Sequence, residues 1–532
     1  MARAEPPLTG AGRPARIAVI AALLAGSVLV SRVLGYVREV VLASMLGAGA
    51  EVDAYRAGFQ LSDLLNHFIA GGALSITLIP LYARRLAEEG EAGAERLFAK
   101  VLGTMGTLVV TATLGLWWWA PELVAFQFPD FAPETLELTT RLTRIVLPAQ
   151  IFFVLGGIVR AALMARDRFV SQALAPLLYN AGIIGFGIAL GAQIGAEGFA
   201  WGALAGAAVG ALGVALLEAR AAGVRIRVRF ALFDREFLSY LALAAPLLIG
   251  VTLLTADEWF DRWFGARLGA GAVATLGYAR YLMQMPVGVI GQAIGTAALP
   301  TLSRLYAAGR REELDRTLLD TLRGGLALAV IAAAFFAAFA VPVVRVLFEH
   351  GRFAEDPEAG AAVARMTRIF ALAVPAWILQ QIQVRSFYAR GEMWRPMIMG
   401  SVIVLGAVPV YLALGERYGA PGLAAAGAMA MSTNALATLI YGRFRHGAPG
   451  LLPLLGSGLR VLPVALGAAW AGEFVLAERT GTVGAMVDLV VGGTVFGGIA
   501  LAGAWIFGDA PTRATLGRLL ARLRRRRIPS EE

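Results

Sequence analysis

Long apolar runs, separated by short connections rich in arginine, repeat along this chain from end to end. A helix needs about 20 such residues to cross the hydrocarbon core of a bilayer. Windows of that kind centre near Leu24, Ser75, Val109, Phe152, Ile184, Ala208, Ile249, Val289, Ala332, Ala376, Leu405, Met429, Ala468 and Gly497. The pattern predicts an all-α polytopic membrane protein with about fourteen transmembrane helices. Basic residues gather in the N-terminal arm (Arg3, Arg13, Arg16), in the even-numbered connections (Arg84 and Arg85; Arg225, Arg227 and Arg229; Arg310 and Arg311) and in the tail (Arg522, Arg524, Arg525, Arg526, Arg527). The odd-numbered connections are neutral or acidic, with Glu122, Asp130, Glu134 and Glu137 in one of them. The positive-inside rule then puts both termini in the cytoplasm, as an even helix count requires.

Several apolar runs contain ions. Arg32, Arg38 and Glu39 lie in the first, and Arg56, Asp63 and His67 in the second. Asp257, Glu258, Asp261 and Arg262 lie in the seventh, and Arg280 in the eighth. An ion near the bilayer centre costs roughly 2.5–3.5 kcal/mol on insertion scales, so such residues face a wet cavity or a partner. They imply transport of something charged. Arg56, Gln60, Asp63 and His67 are spaced to share one helical face. Arg280, Gln284, Gly288, Gly291 and Gly295 form the counterpart stripe in the eighth run. The two faces predict a polar cleft, against the alternative of structural ion pairs and close-packing glycines. Arg32 and Glu39 share a face of the first helix, with Arg38 rotated away from it. Glu258 and Arg262 can neutralise each other at i, i+4. Asp257 and Asp261 are left either to bind a coupling cation or to pair with Arg280.

The chain repeats internally. RLTRI at Arg141–Ile145 returns as RMTRI at Arg365–Ile369, an offset of 224 that also relates Arg56 to Arg280 and Gln60 to Gln284. Six helices per copy make the repeat parallel. The expected organisation is an N-terminal arm (1–16), a six-helix bundle (17–222), a second six-helix bundle (223–446), two extra helices (447–509) and a basic tail (510–532).

Composition narrows the chemistry further. The 532 residues are 58% hydrophobic and only 16% charged, with a mean hydropathy of +0.68. There are no cysteines and three histidines (His67, His350, His446), none near another in sequence, which argues against thiol chemistry and a metal centre. The formal charge of +10 is spread over short connections, so it implies no nucleic acid. No GxxxxGK[ST] occurs, which excludes ATP-driven transport by this chain alone.

At Ser31–Glu39 (SRVLGYVRE), Leu46–Tyr55 (LGAGAEVDAY), Ala173–Asn180 (ALAPLLYN), Tyr281–Arg304, Val344–Phe353 and Phe387–Pro396 the sequence resembles the MurJ (MviN) family of lipid II flippases, in the MOP exporter superfamily. The matches run through both repeats in order. The resemblance implies a flippase of peptidoglycan biosynthesis in the bacterial inner membrane, carrying an undecaprenyl-pyrophosphate glycolipid from inner to outer leaflet by alternating access through a cationic central cavity. It places the family's functional arginines on Arg32 and Arg38 and its acidic residue on Asp53. Membrane lipids and cell-wall synthesis proteins are the expected partners. No cofactor is expected, and the coupling cation is left open among Na+, H+ and the membrane potential itself. Two departures stand out: Asn66 and His67 replace an arginine pair, and Tyr281 replaces an arginine that this chain carries one position earlier, at Arg280. One position is about 100° around a helix. Arg56 and Arg280 are therefore the alternative cavity cations. The rival readings are a paralogue exporting another lipid-linked glycan, a drug–cation antiporter, a non-transporting cell-wall scaffold and an integral membrane enzyme.

Overall fold

The computed structural model describes residues 12–67, 73–254, 256–477, 479 and 481–525. Arg3, Arg526 and Arg527 of the basic arms lie outside the described residues, as do the side chains of Arg13, Arg16, Arg522, Arg524, Arg525 and Asp257. Among the described residues the secondary structure is helical throughout, with no strand. This is the expected answer for backbone in lipid, where each N–H and C=O must find its partner within the segment.

Two compact units divide the chain, Met1–Leu46 with Ala50–Thr252, and Gly47–Gly49 with Leu253–Glu532. The first comprises α1 (Gly12–Leu46), α2 (Ala50–Gly58), α3 (Gln60–Leu65), α4 (Ala73–Trp118), α5 (Ala120–Gln127), α6 (Pro133–Val146), α7 (Ala149–Met164), α8 (Val170–Ile194), α9 (Ala196–Gly206) and α10 (Val214–Ala221). The boundary falls inside α11 (Arg235–Leu254). The second unit continues with α12 (Ala256–Gly265), α13 (Ala272–Pro286), α14 (Gln292–Ala307), α15 (Arg311–Ala338), α16 (Ala340–Leu347), α17 (Pro357–Ala371), α18 (Val374–Ala389), α19 (Trp394–His446), α20 (Leu451–Phe474), α21 (Gly481–Phe507) and α22 (Ala510–Arg525). Short π-helical turns join α9 to α10 and α13 to α14.

All fourteen centres expected from the hydropathy pattern fall in helical segments. Among the described residues, nine helices are long and apolar enough to span a membrane, or ten if α17 and α18, which meet at 48°, count as one broken span. The difference from fourteen arises partly because single helices hold two centres. α4 bends at Gly90, and α19 turns back at Gly419. The chain is a multi-pass membrane protein.

The repeat is written in the backbone as well as in the residues. Left-handed conformations recur at the same offset of 224: Gly47 and Gly271, Asp167 and Gly391, Gly195 and Gly419, Gly223 and Gly447. Gly195 (φ 57°, ψ −133°) and Gly419 (φ 64°, ψ −143°) make the same reversal, a conformation that a Cβ would oppose. Asp167 (φ 58°) stands where the second copy has glycine, and aspartate is among the side chains that tolerate this region. Helix packing relies on small residues. A Cβ on Gly182 of α8 would lie 2.8 Å from the backbone of Gly202 and Gly206 in α9, so the two helices touch backbone to backbone.

Asp509 ties the last helix to its unit. Its carboxylate accepts from the Thr512 N–H (2.9 Å) and hydroxyl (2.7 Å), capping α22. It also accepts from Ser457 of α20 and from Arg323 of α15 (Nη2 at 2.9 Å). Burial works against the charged form, but the Ser457 and Thr512 hydrogen bonds and the Arg323 charge hold this carboxyl below the usual aspartate range.

Candidate functional site

In the first unit, two arginines converge on one carboxylate. Glu39 of α1 is buried, and its oxygens accept from Arg38 Nη2 at 3.0 Å and from Arg56 Nη2 of α2 at 2.8 Å. The two guanidinium side chains remain 24% and 16% exposed. Arg38 also reaches Asn180 Oδ1 of α8 at 3.3 Å, and Asn180 donates back to the Pro176 carbonyl (3.0 Å). Helical periodicity rotates Arg38 off the face shared by Arg32 and Glu39, yet its guanidinium still reaches the neighbouring carboxylate. Arg32 lies one to two turns earlier on the same helix and is partly exposed.

The rest of the expected face in this unit is laid out less regularly. The helix is interrupted at Phe59, so Arg56 belongs to α2 and Gln60 and Asp63 to α3, with His67 in a π turn just beyond. Gln60 is buried, whereas Asp63 and His67 are partly exposed. Asp53 is buried in the first turn of α2, where a carboxylate suits the helix dipole. Glu51 accepts the Ala196 N–H at 2.8 Å at the start of α9. Contacts between Gly58 and Leu142 and from Gln150 Nε2 to Ser62 Oγ (2.6 Å) fix α2 and α3 against α6 and α7.

The second unit treats its repeat-related arginine differently. Arg280 Nε of α13 donates to Asp261 Oδ2 of α12, and both side chains are only 6% exposed. Of the two roles open to Asp261, the structure has the pairing with Arg280. The guanidinium carbon sits 5.1 Å from the Phe370 ring centroid, a cation–π contact. Gly427 of α19 leaves room for it, since a Cβ there would come within 3.3 Å of Arg280 Nη2. Gln284 Nε2 donates to Glu258 Oε1 at 3.2 Å, so this carboxylate, expected to serve Arg262, also holds the amide of α13.

Asn180, Phe370 and Tyr411, which packs on Phe264 at 5.5 Å, were not singled out as site residues from sequence. Asn180 closes the ALAPLLYN segment, and that was the signal available for it. No group of three or more His, Cys, Asp or Glu side chains that could hold a metal occurs among the described residues.

Comparison with known proteins bears on this arrangement. The profile of the family described as "Lipid II flippase MurJ" matches residues 42–492. A probable lipid II flippase MurJ of Rhizobium meliloti is 30% identical over 442 residues, covering 79% of this chain and 80% of the relative. The lipid II flippase MurJ of Burkholderia cenocepacia is 26% identical over 389 residues, covering 70% and 73%. A solved lipid II flippase MurJ in an inward closed conformation superposes with a TM-score of 0.76 at 21% identity, over 91% of this chain and 98% of that one. An inward-facing MATE multidrug transporter of the MOP superfamily shares the fold at a TM-score of 0.67 and 16% identity, over 78% and 94%. With the profile spanning most of the sequence, this chain belongs to the lipid II flippase MurJ family.

Proposed function

We propose that this chain moves lipid II, the substrate in its relatives' names, from the inner to the outer leaflet of the bacterial cytoplasmic membrane. The observation that carries the reading is the cluster in the first unit: Arg38 and Arg56, both partly accessible, converge on the buried carboxylate of Glu39. A lipid pyrophosphate presents paired oxyanions, and guanidinium matches them bidentately while keeping its charge. Those oxyanions compete with Glu39 for the same donors, so the headgroup is bound by exchange rather than by stripping a bare ion from water. Arg32 extends the cationic face along α1. The two repeats exchange between inward- and outward-open forms. Arginine placement along the connections supports cytoplasmic termini. A potential across the membrane is worth about 2.3 kcal/mol per charge per 100 mV, enough to reset such an exchange, either directly or through a co-moving Na+ or H+.

Complementation tests this reading. The full chain is expressed in a bacterium depleted of its own lipid II flippase, and lipid II exposure at the outer leaflet is assayed. Rescue that disappears with Arg38→Ala or Arg32→Ala at unchanged protein level is the expected result. A well-inserted, abundant wild-type chain that leaves lipid II inside would overturn it.

A further inference from the structure

The connection from α10 to α11 carries a feature separate from the Arg38–Glu39–Arg56 cluster. From Val224 to Ala231 the backbone has no regular structure and reads Arg225-Ile226-Arg227-Val228-Arg229-Phe230, basic and apolar in strict alternation. In extended chain a period of two sends alternate side chains to opposite sides. The segment is strapped to α4 of its own unit. Arg229 N–H donates to the Ala99 carbonyl and Ala231 N–H to Thr104 Oγ1, each at 2.9 Å. Lys100 Nζ holds Asp234 (2.9 Å) and Glu236 (2.7 Å) at its far end. The strap crosses α4 on the bare backbone of Gly103, where a Cβ would lie 2.4 Å from the Arg229 carbonyl oxygen.

The apolar side of the strap completes a cleft. Ile226 and Val228 join Leu102, Gly106, Val110 and Leu216 around a volume of about 450 Å³, within the roughly 300–1,000 Å³ of small-molecule sites. The apolar strap residues are strongly exposed, Val228 at 73% and Phe230 at 57%. The basic side is short of counter-ions. Arg225 Nε stands 3.9 Å from Glu95, and among the described residues neither Arg227 nor Arg229 forms an ion pair. An apolar cleft edged by uncompensated guanidiniums has the chemistry of one ligand, an amphiphile with an anionic head.

We propose that the strap and cleft form a binding site for an anionic glycerophospholipid, with one acyl chain along the cleft and the phosphate at its rim, where the long exposed side chains of Arg227 and Arg229 reach over the edge of the strap. On the orientation proposed above, this lipid belongs to the cytoplasmic leaflet. Its binding holds the strap at the interface and is separate from the arginines assigned to the transported headgroup.

Photo-crosslinking decides the matter. The full chain is reconstituted in liposomes carrying either phosphatidylglycerol or phosphatidylcholine with a diazirine on the acyl chain, irradiated, and its adducts mapped by peptide mass spectrometry. Phosphatidylglycerol adducts on 102–111 and 212–228 are expected to exceed phosphatidylcholine adducts at least about fivefold, the effect of one arginine near an anionic surface. Arg227→Gln with Arg229→Gln should bring the two lipids level, and Val110→Trp should empty the cleft of both. Equal labelling of wild type by the two lipids overturns the proposal, whatever the variants do. So does displacement of the label by equimolar lipid II, which would assign the cleft to the substrate instead.

Discussion

Arg56 and Arg280 stand at matching positions of the two repeats, yet their surroundings have diverged. Arg56 meets the carboxylate of Glu39 beside a second arginine and stays partly exposed, whereas Arg280 meets Asp261, has an aromatic ring over it and almost no exposure. The first arrangement keeps its guanidiniums within reach of a ligand; the second closes its guanidinium inside the unit. The same residue at matching positions of a repeat is thus placed for different work, and burial marks the difference.

The largest effect should come from breaking the closed pair. Arg280→Ala takes from the buried Asp261 the guanidinium it is paired with, a loss of about 3–5 kcal/mol. It should appear in detergent as a sharply lower unfolding temperature. Asp261→Asn combined with Arg280→Gln should recover much of that stability and transport lipid II per folded molecule like wild type. A combined variant that folds but does not transport would move Arg280 into the substrate path and erase the contrast.

The open cluster should respond in the opposite sense. Arg38→Gln and Arg56→Gln each remove a charge-assisted contact to the headgroup worth roughly 1.5–3 kcal/mol, so flipping should fall about 10- to 100-fold, while the remaining arginine keeps Glu39 paired and the unfolding temperature falls less than for Arg280→Ala. Normal flipping by either variant in a leaflet-exposure assay would count against the assignment.

A smaller contrast lies in the connections. The first repeat leaves α10 through the long strap, while the second leaves α19 through the short stretch Gly447–Gly450. Gly103→Ala, by pushing the strap off α4, should cost about 1–3 kcal/mol of overpacking, measurable as a lower unfolding temperature. Gly406→Ala in the second unit, where nothing lies within 4 Å, provides the control.

Acid gives the mildest test. The Lys100 hydrogen bond is the main cause holding the Asp234 carboxyl below its usual range, with burial opposing and the Glu236 N–H assisting. A carboxyl whose folded pKa is depressed stabilises the fold above its unfolded value and loses that contribution as pH falls through the folded one. Stability should therefore slip below about pH 4, and Asp234→Asn should flatten that slope in unfolding temperatures taken across the range.

Much of the fold could be read from sequence, because apolar run length and arginine placement are direct consequences of bilayer thickness and charge. The repeat showed in RLTRI and RMTRI for the same reason that α6 and α17 both begin at a proline, Pro133 and Pro357. What stayed hidden was pairing across helices. Periodicity relates residues on one helix, so it grouped Glu39 with Arg32 and could not join Glu39 to Arg56 across the break between α1 and α2. It likewise left Asp261 undecided between a cation and Arg280, since only the approach of α12 to α13 settles that. The interruption at Phe59 follows directly on Gly58, a residue that weakens a helix interior without by itself fixing where the helix stops.

The cap at the start of α22 has a practical side. Asp509 belongs at once to the last helix and to the counter-ion supply of Arg323, so trimming the protein after Phe507 would remove more than a surface appendage. It would leave a half-buried cation on α15 facing only the Ser457 hydroxyl, loosening α20 where it meets its neighbour. A reporter or affinity tag is therefore better appended after the last helix than put in its place, and a poor yield from a shortened chain would point to this junction before the transport path.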